Sequence, residues 1–396
     1  MNKKKIIVPA AYFCAWDGGV KLIKTTLDSL ISYDKKKYFT YELLIPDHNV
    51  ISFGKRLYNI IKFFLVGLAK GKIIIQDWKF HTSARELRKY FKGKKNLAIV
   101  GVDYVNERKF LDKGINLLSM NLKYYRNKIG YIFDFQHKYL PQFFSYEQKK
   151  FRKIFFKNIL DSNDYIIVNS KKTKKDILKF YKNIKTKIFV LPFAPYLDFN
   201  IDILEKKKNL NKYFIISNQF WPHKNYETAI NAMKFFKDNN CELIITGNVD
   251  LKKNYKYFNK IKNLVNHLKL SKKIKFLGNL EKTKQLSLMF NSLCVIQPSL
   301  FEGGPGGFSS YEAISMDKYL LLSDIEVNKE AKSKKIVFFK KKNAKDLFNK
   351  MNKIYKKTQK KSSLNKIKNI SKQNKQKLGF ELFQILKFVS KNYDKQ

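Results

Sequence analysis

The sequence predicts an α/β protein made of two consecutive Rossmann-like units. Three observations carry that expectation. Short β-branched or apolar runs recur along the 396 residues, helix-like segments separate them, and the alternation breaks once at a two-proline stretch before starting again. Strands alternating with helices pair in parallel, because each helix returns the chain over one face of the sheet. A chain of this length holds two core-bearing domains of ordinary size.

In the first half the strand-like runs are KIIV (5–8), ELLI (42–45), KIII (72–75), LAIVGV (97–102), IGYIF (129–133), YIIV (165–168) and KIFVL (187–191). The stretch VLPFAPYLDFN (190–200) and the polar run after it mark a link between domains. The second half alternates more cleanly. YFIIS (213–217) precedes a helix over 226–236, CELIIT (241–246) one over 255–268, KIKFL (273–277) one over 284–290, and LCVIQP (293–298) one over 308–316. YLLLS (319–323) and IVFF (336–339) complete the set; Lys, Asn and Ser then surround one weak helical pattern, and the apolar-striped LGFELFQILKFV (378–389) follows. The expected division is a first unit over 1–195, a second over 205–375, and a C-terminal helix over 376–396 that returns toward the first unit.

Composition bounds the function. Hydrophobic residues make up 44% of the chain, with 34 Phe and 23 Tyr, which excludes a disordered polymer despite 29% charged residues. The balance of 81 basic against 32 acidic residues gives a net charge of +49. Such charge points to a polyanion, either nucleic acid or an anionic membrane. Only six basic residues are Arg, however, and none follows Arg152. Arg is the residue of bidentate and stacking contacts to bases. Lys, Asn, Ile, Phe and Tyr are over-used together, the signature of an AT-rich genome. A role at an anionic membrane face survives beside that bias, since each Lys near such a surface contributes roughly 1 kcal/mol.

Cys14, Cys241 and Cys294 are few, odd in number and far apart, which argues against a disulfide framework and fits a reducing cytoplasm. The start, MNKKKIIVPAAYFCAWDGG, imitates a signal peptide, but Pro9 and Asp17-Gly18-Gly19 make it a first strand and turn. IIKFFLVGLA (60–69) is too short to span a bilayer and reads as a buried or an interfacial helix.

The densest chemical signal is SLFEGGPGGFSSYEAI (299–314), with Gly303, Gly304, Gly306 and Gly307 between Glu302 and Glu312. It follows a strand and opens a helix. Ligands of open α/β sheets bind beyond the carboxyl ends of the strands, and a helix start is an anion site. Bare glycines there admit phosphate oxygens to the main chain, and a carboxylate one turn into the helix can hold a ribose diol. A glycine-rich turn with an ordinary capping Glu is the competing reading of the same residues.

The segment PSLFEGGPGGFSSYEAISMDKYLLLSDIEVNKE resembles the signature of the family 4 glycosyltransferases (glycosyl transferases group 1). ISNQFWPHKNYETAINAMKFF (216–236) is similar to that family's first β/α unit in the nucleotide domain, and YIFDFQHKYLPQFFS (131–145) to an acceptor-domain segment. The resemblance implies the GT-B fold, two Rossmann-like domains facing across a cleft. It implies a nucleotide-sugar donor on the second domain, a glycan or lipid-linked acceptor on the first, and metal-independent transfer with retention. Through it, Glu312 is the expected ribose ligand, Glu302 the contact to hydroxyls of the transferred sugar, and Lys224 the cation on the departing diphosphate. His137 is the expected acceptor-side contact near the reacting centre. Gly18 and Gly19 allow the first helix start to approach the phosphates. Gly303, Gly304, Gly306, Gly307 and Phe308 line the donor. An exposed loop Lys, a structural His hydrogen-bonded beside Asp134 and a plain tight turn are the competing readings of Lys224, His137 and Gly18-Gly19.

Two features depart from the pattern. Nine residues separate Glu302 from Glu312 where the family has seven, and Gln219 stands where it has an Arg. A neutral amide orients a phosphate without neutralising it, which leaves the diphosphate to Lys224, the glycine N–H groups or a further Lys. No metal-ligand spacing is present and no resident cofactor is expected. The implied activity is sugar transfer in cell-surface polysaccharide or lipopolysaccharide assembly, in the cytoplasm or at the inner face of the membrane. The alternative is a non-catalytic basic protein that holds nucleic acid or anionic lipid on the same scaffold.

Overall fold

The computed structural model describes residues 4–15, 17–46, 82–102, 110–111, 113–119, 128–197, 201–204, 212–249, 254–357 and 362–393. The expected strand at 72–75 and the apolar run at 60–69 lie outside the described residues.

Two parallel sheets form. The first contains β1 (Lys4–Pro9), β2 (Phe39–Pro46), β3 (Leu97–Val102), β4 (Ile115–Ser119), β5 (Lys128–Ile132), β6 (Tyr165–Val168) and β7 (Lys187–Val190), in the order β3-β2-β1-β4-β5-β6-β7. The second contains β8 (Tyr213–Ser217), β9 (Glu242–Thr246), β10 (Ile274–Gly278), β11 (Cys294–Gln297), β12 (Leu320–Ser323) and β13 (Ile336–Phe339), in the order β10-β9-β8-β11-β12-β13. In each sheet the strand order reverses once, between β1 and β4 and between β8 and β11. Strands such as β5, β8 and β9 are buried along their whole length, because helices cover both faces of a parallel sheet. That is why they read as unbroken apolar runs.

The helices are α1 (Asp17–Tyr33), α2 (Gln136–Tyr139), α3 (Tyr146–Ser162), α4 (Lys171–Phe180), α5 (Tyr226–Met233), α6 (Tyr255–His267), α7 (Lys282–Asn291), α8 (Gly307–Ser315), α9 (Ala344–Tyr355) and α10 (Leu364–Tyr393), with residues 82–91 also helical. Strand β4 was not anticipated. Its INLLS run is short and carries Asn116, yet it pairs with both β1 and β5 at the centre of the sheet. Asn116 is tolerated there because its amide donates to the Leu111 carbonyl at 2.8 Å.

The C-terminal helix begins at Leu364, not at residue 376, and runs for 30 residues. Ile367 joins the core of the second unit, whereas Leu378, Leu382, Leu386 and Val389 join that of the first. Gly379 fits because a Cβ there would lie 2.3 Å from the Ser29 carbonyl oxygen of α1. Lys375 pairs with buried Asp28 at 2.5 Å, and Ser371 accepts the Leu197 amide at 2.7 Å. One helix thus ties the two units and the linking stretch together.

Candidate active site between the two sheets

Where β8 and β11 diverge, the loops leaving them define the place for a ligand. The first loop contains a short 3-10 turn, Pro222–Lys224, and the second is the glycine loop that enters α8. A polar chain fixes both: Asn218 donates to Gln297 Oε1 at 2.5 Å, Gln297 donates to Ser309 Oγ at 2.6 Å, and Ser309 donates to the Ser217 carbonyl at 2.8 Å. Asn225, in the left-handed region at φ 53°, donates to the Pro298 carbonyl at 2.9 Å. The Leu300 amide reaches the His223 carbonyl at 2.7 Å. Buried and mutually satisfied, these groups hold the loops rigidly.

Lys224, Glu302 and Gly307 come together here. Lys224 Nζ donates to Glu302 Oε1 at 2.6 Å, and Ser299 Oγ donates to the same oxygen at 2.6 Å. A Cβ at Gly307 would lie 3.5 Å from Glu302 Oε2 and 3.7 Å from Lys224 Nζ. The α8 N-cap is Gly306 and makes no side-chain cap, and the first turn has no acidic residue. An α-helix start in this state attracts an anion.

At the other three glycines, protein occupies the space a side chain would need. A Cβ at Gly303 would lie 2.4 Å from the Phe133 carbonyl oxygen, and one at Gly304 would lie 3.1 Å from Asn169 Nδ2. At Gly306 (φ 66°) a Cβ would lie 2.1 Å from Ser310 Oγ, and its amide donates to buried Asn328 Oδ1 at 2.8 Å. Glycine is needed because protein packs against this backbone, chiefly protein of the first unit. Gly307 is the one of the four whose nearest neighbours are Glu302 and Lys224.

Glu312 is 3% exposed on α8. Lys282 donates to its Oε1 at 2.6 Å, and Lys21 of α1 reaches the same oxygen across the domain boundary. Burial alone would raise the carboxyl pKa, but the two ammonium groups outweigh it and hold the group below the ordinary carboxylate range. Lys21 Nζ also lies 4.7 Å from the Phe308 ring centroid, and Phe308 contacts Phe193 at 5.4 Å. Gly18 and Gly19 occupy the first turn of α1, three and two residues before Lys21. Gln219 is exposed and accepts from Trp221 Nε1 at 2.8 Å.

His137 is 3% exposed, and neither ring nitrogen has a partner among the described residues. It is not hydrogen-bonded beside Asp134, whose carboxylate binds Arg152 at 3.0 Å. Phe135, Phe144 and Phe156 surround the imidazole at 5.7–6.2 Å between centroids. Burial, then Arg152 and Lys138, lower its pKa to about 4, so the ring stays neutral. Tyr311 is a second buried group without a partner: its hydroxyl would sit 3.3 Å from a Cβ at Gly304.

The first unit grips the loop directly. Ser170 and Thr173 at the start of α4 donate to the Gly303 carbonyl at 2.9 and 3.1 Å. Glu330 of the second unit accepts the Lys171 and Lys172 amides, both at 2.8 Å, as a cap supplied in trans between domains. Tyr139 stacks on Phe301 with centroids 5.6 Å apart. Lys21, Lys282, Tyr311 and Glu330 were not singled out in the sequence. With 81 Lys and Arg residues, a Lys outside the quoted motifs carries no signal.

Residues 200–376 match the family described as Glycosyl transferases group 1. No curated protein sequence matches the chain. Among solved structures, the chain is similar to a glycosyltransferase from Rickettsia africae at 15% identity, with 99% of each chain covered and a TM-score of 0.61. It is also similar to HepE from Anabaena in complex with UDP and glucose, at 13% identity over 98% of this chain and 100% of that one, with a TM-score of 0.63. A sucrose-phosphate synthase from Thermosynechococcus elongatus follows at 12% identity, with both chains covered completely and a TM-score of 0.59. These likenesses establish the GT-B fold. Among the described residues, no group of three or more His, Cys, Asp or Glu side chains could hold a metal ion, and no helix is long and apolar enough to cross a membrane.

Proposed function

We propose that this GT-B protein, whose residues 200–376 match the group 1 glycosyltransferases, moves a sugar from a nucleoside diphosphate donor to a glycan or lipid-linked acceptor with retention at the anomeric carbon. The observation that carries the reading is the meeting of Lys224, Glu302 and Gly307 at the start of α8. The donor places its diphosphate at that helix start beside Lys224 and its ribose at Glu312, while the sugar hydroxyls meet Glu302. As the C1–O bond to the phosphate breaks, negative charge collects on the diphosphate, where Lys224 and the helix start stabilise it. The acceptor oxygen forms the new bond from the same face, and its proton passes to a departing phosphate oxygen. Neutral His137 lies on the acceptor side. No resident cofactor or metal takes part, so chelators leave the rate unchanged.

The acceptor belongs to cell-surface polysaccharide or lipopolysaccharide assembly at the inner face of the membrane. Support for that setting comes from α3, where Tyr146, Phe151 and Ile154 are 71%, 60% and 52% exposed beside exposed Lys150, Lys153 and Lys157. Aromatic and Lys side chains on one helix face suit an anionic interface. The test is a thermal-shift panel of nucleotide sugars, with single-stranded nucleic acid and anionic vesicles as further arms. A true donor at a hundredfold excess over its dissociation constant adds roughly 2.7 kcal/mol. Stabilisation by nucleic acid or vesicles alone would instead identify a basic binding protein.

A further inference from the structure

A nucleoside diphosphate brings at least two negative charges to the start of α8, where Lys224 and Lys282 of the second unit already face carboxylates. Lys224 is committed to Glu302, and Lys282 to Glu312. Lys21 stands apart because it comes from α1 of the first unit, yet its ammonium reaches Glu312 and lies 4.7 Å from the Phe308 centroid. Both lysines meet Glu312 at Oε1, and the donor reading assigns the ribose diol to the same carboxylate. From Gly307 to Glu312 is five residues, about 7.5 Å of helix rise. Lys21 and Lys224 therefore flank the same turn and a half of α8 from opposite units.

We propose that Lys21 is a diphosphate-binding residue supplied by the first domain. Resting on the donor reading above, this means that Lys21 pairs with Glu312 and passes to a phosphate when the ribose engages that carboxylate. The two ligand parts then respond oppositely to its loss. Removing Lys21 takes a cation from the diphosphate but frees Glu312 for the ribose.

The experiment is calorimetry with UDP, GDP, ADP, CDP and dTDP, each beside its parent nucleoside, on wild type, Lys21→Gln and Lys21→Arg, with melting temperatures as the folding control. The expected result is a diphosphate bound at least tenfold more weakly by Lys21→Gln and restored to within about threefold by Lys21→Arg, with the nucleoside bound equally or more tightly. A diphosphate bound by wild type and equally or more tightly by Lys21→Gln would overturn the proposal alone, leaving Lys21 a latch. Failure of wild type to bind any of the five would overturn the donor reading and this inference with it.

Discussion

His137 offers a prediction whose size follows from its surroundings. An ordinary imidazole titrates near 6.5, and burial among Phe135, Phe144 and Phe156 with Arg152 nearby lowers that to about 4. Below pH 6.5 the unfolded chain takes up a proton that the folded chain refuses until pH 4. The unfolded state gains, so stability falls as pH drops through that window and levels off beneath it. Each pH unit is worth about 1.4 kcal/mol, so the whole window amounts to about 3 kcal/mol. Urea unfolding of wild type and His137→Phe at pH 7.0, 5.5 and 4.5 isolates the effect, because every other titrating group is common to both. The variant should gain on wild type by about 1 kcal/mol at pH 5.5 and about 2 kcal/mol or more at pH 4.5. Parallel stability curves for the two proteins would show that the imidazole is solvated or paired, and would refute the neutral buried ring.

Two further predictions concern the domain boundary. Glu312→Gln should weaken nucleoside diphosphate binding at least tenfold by calorimetry; it should also cost about 1–2 kcal/mol of stability, less than the full penalty of a broken buried pair because Lys21 and Lys282 can reach water. Since the Glu312 carboxyl is held low, its contribution is complete above the ordinary carboxylate range and fades only as pH falls through the depressed value; a variant with unchanged melting temperature and affinity would remove Glu312 from the site. Combining Ser170→Ala, Thr173→Val and Glu330→Gln should loosen the grip on Gly303 and α4, at about 1 kcal/mol per neutral hydrogen bond lost and more for the charged cap. Small-angle scattering should then show a larger radius of gyration in the empty protein, with the linking stretch near 190–205 as hinge; an unchanged profile would mean that these contacts do not hold the lobes together.

Much of the fold was legible because parallel strands buried on both faces leave unbroken apolar runs, and eleven of the thirteen described strands were recognised within a residue or two at each end from such runs, β2 only over its central residues. Strand β4 escaped because its five residues include Asn116, whose partner lies in a separate segment at Leu111. The extent of α10 escaped for a related reason. Its first turns are Lys- and Asn-rich, and only Ile367 and Ser371 are buried between residues 364 and 376. At the site, the glycine density rightly signalled close approach to the main chain. What approaches Gly303, Gly304 and Gly306 is protein, and a backbone clash with Phe133, 170 residues earlier, leaves no trace in local sequence. Lys21 and Glu330 were invisible for the same reason, since each acts on a residue of the other unit.

On the proposed function, a sugar nucleotide sits at the start of α8 and faces α1. Hydrogen–deuterium exchange, with and without the nucleotide sugar that stabilises the protein most, tests it directly. Slowed exchange is expected at 218–225, 299–312 and the first turns of α1, with the remaining surface unchanged. Slowed exchange confined to another face, such as the groove formed by Asp161, Asp164 and Lys182–Lys187 at the starting ends of β6 and β7, would contradict it.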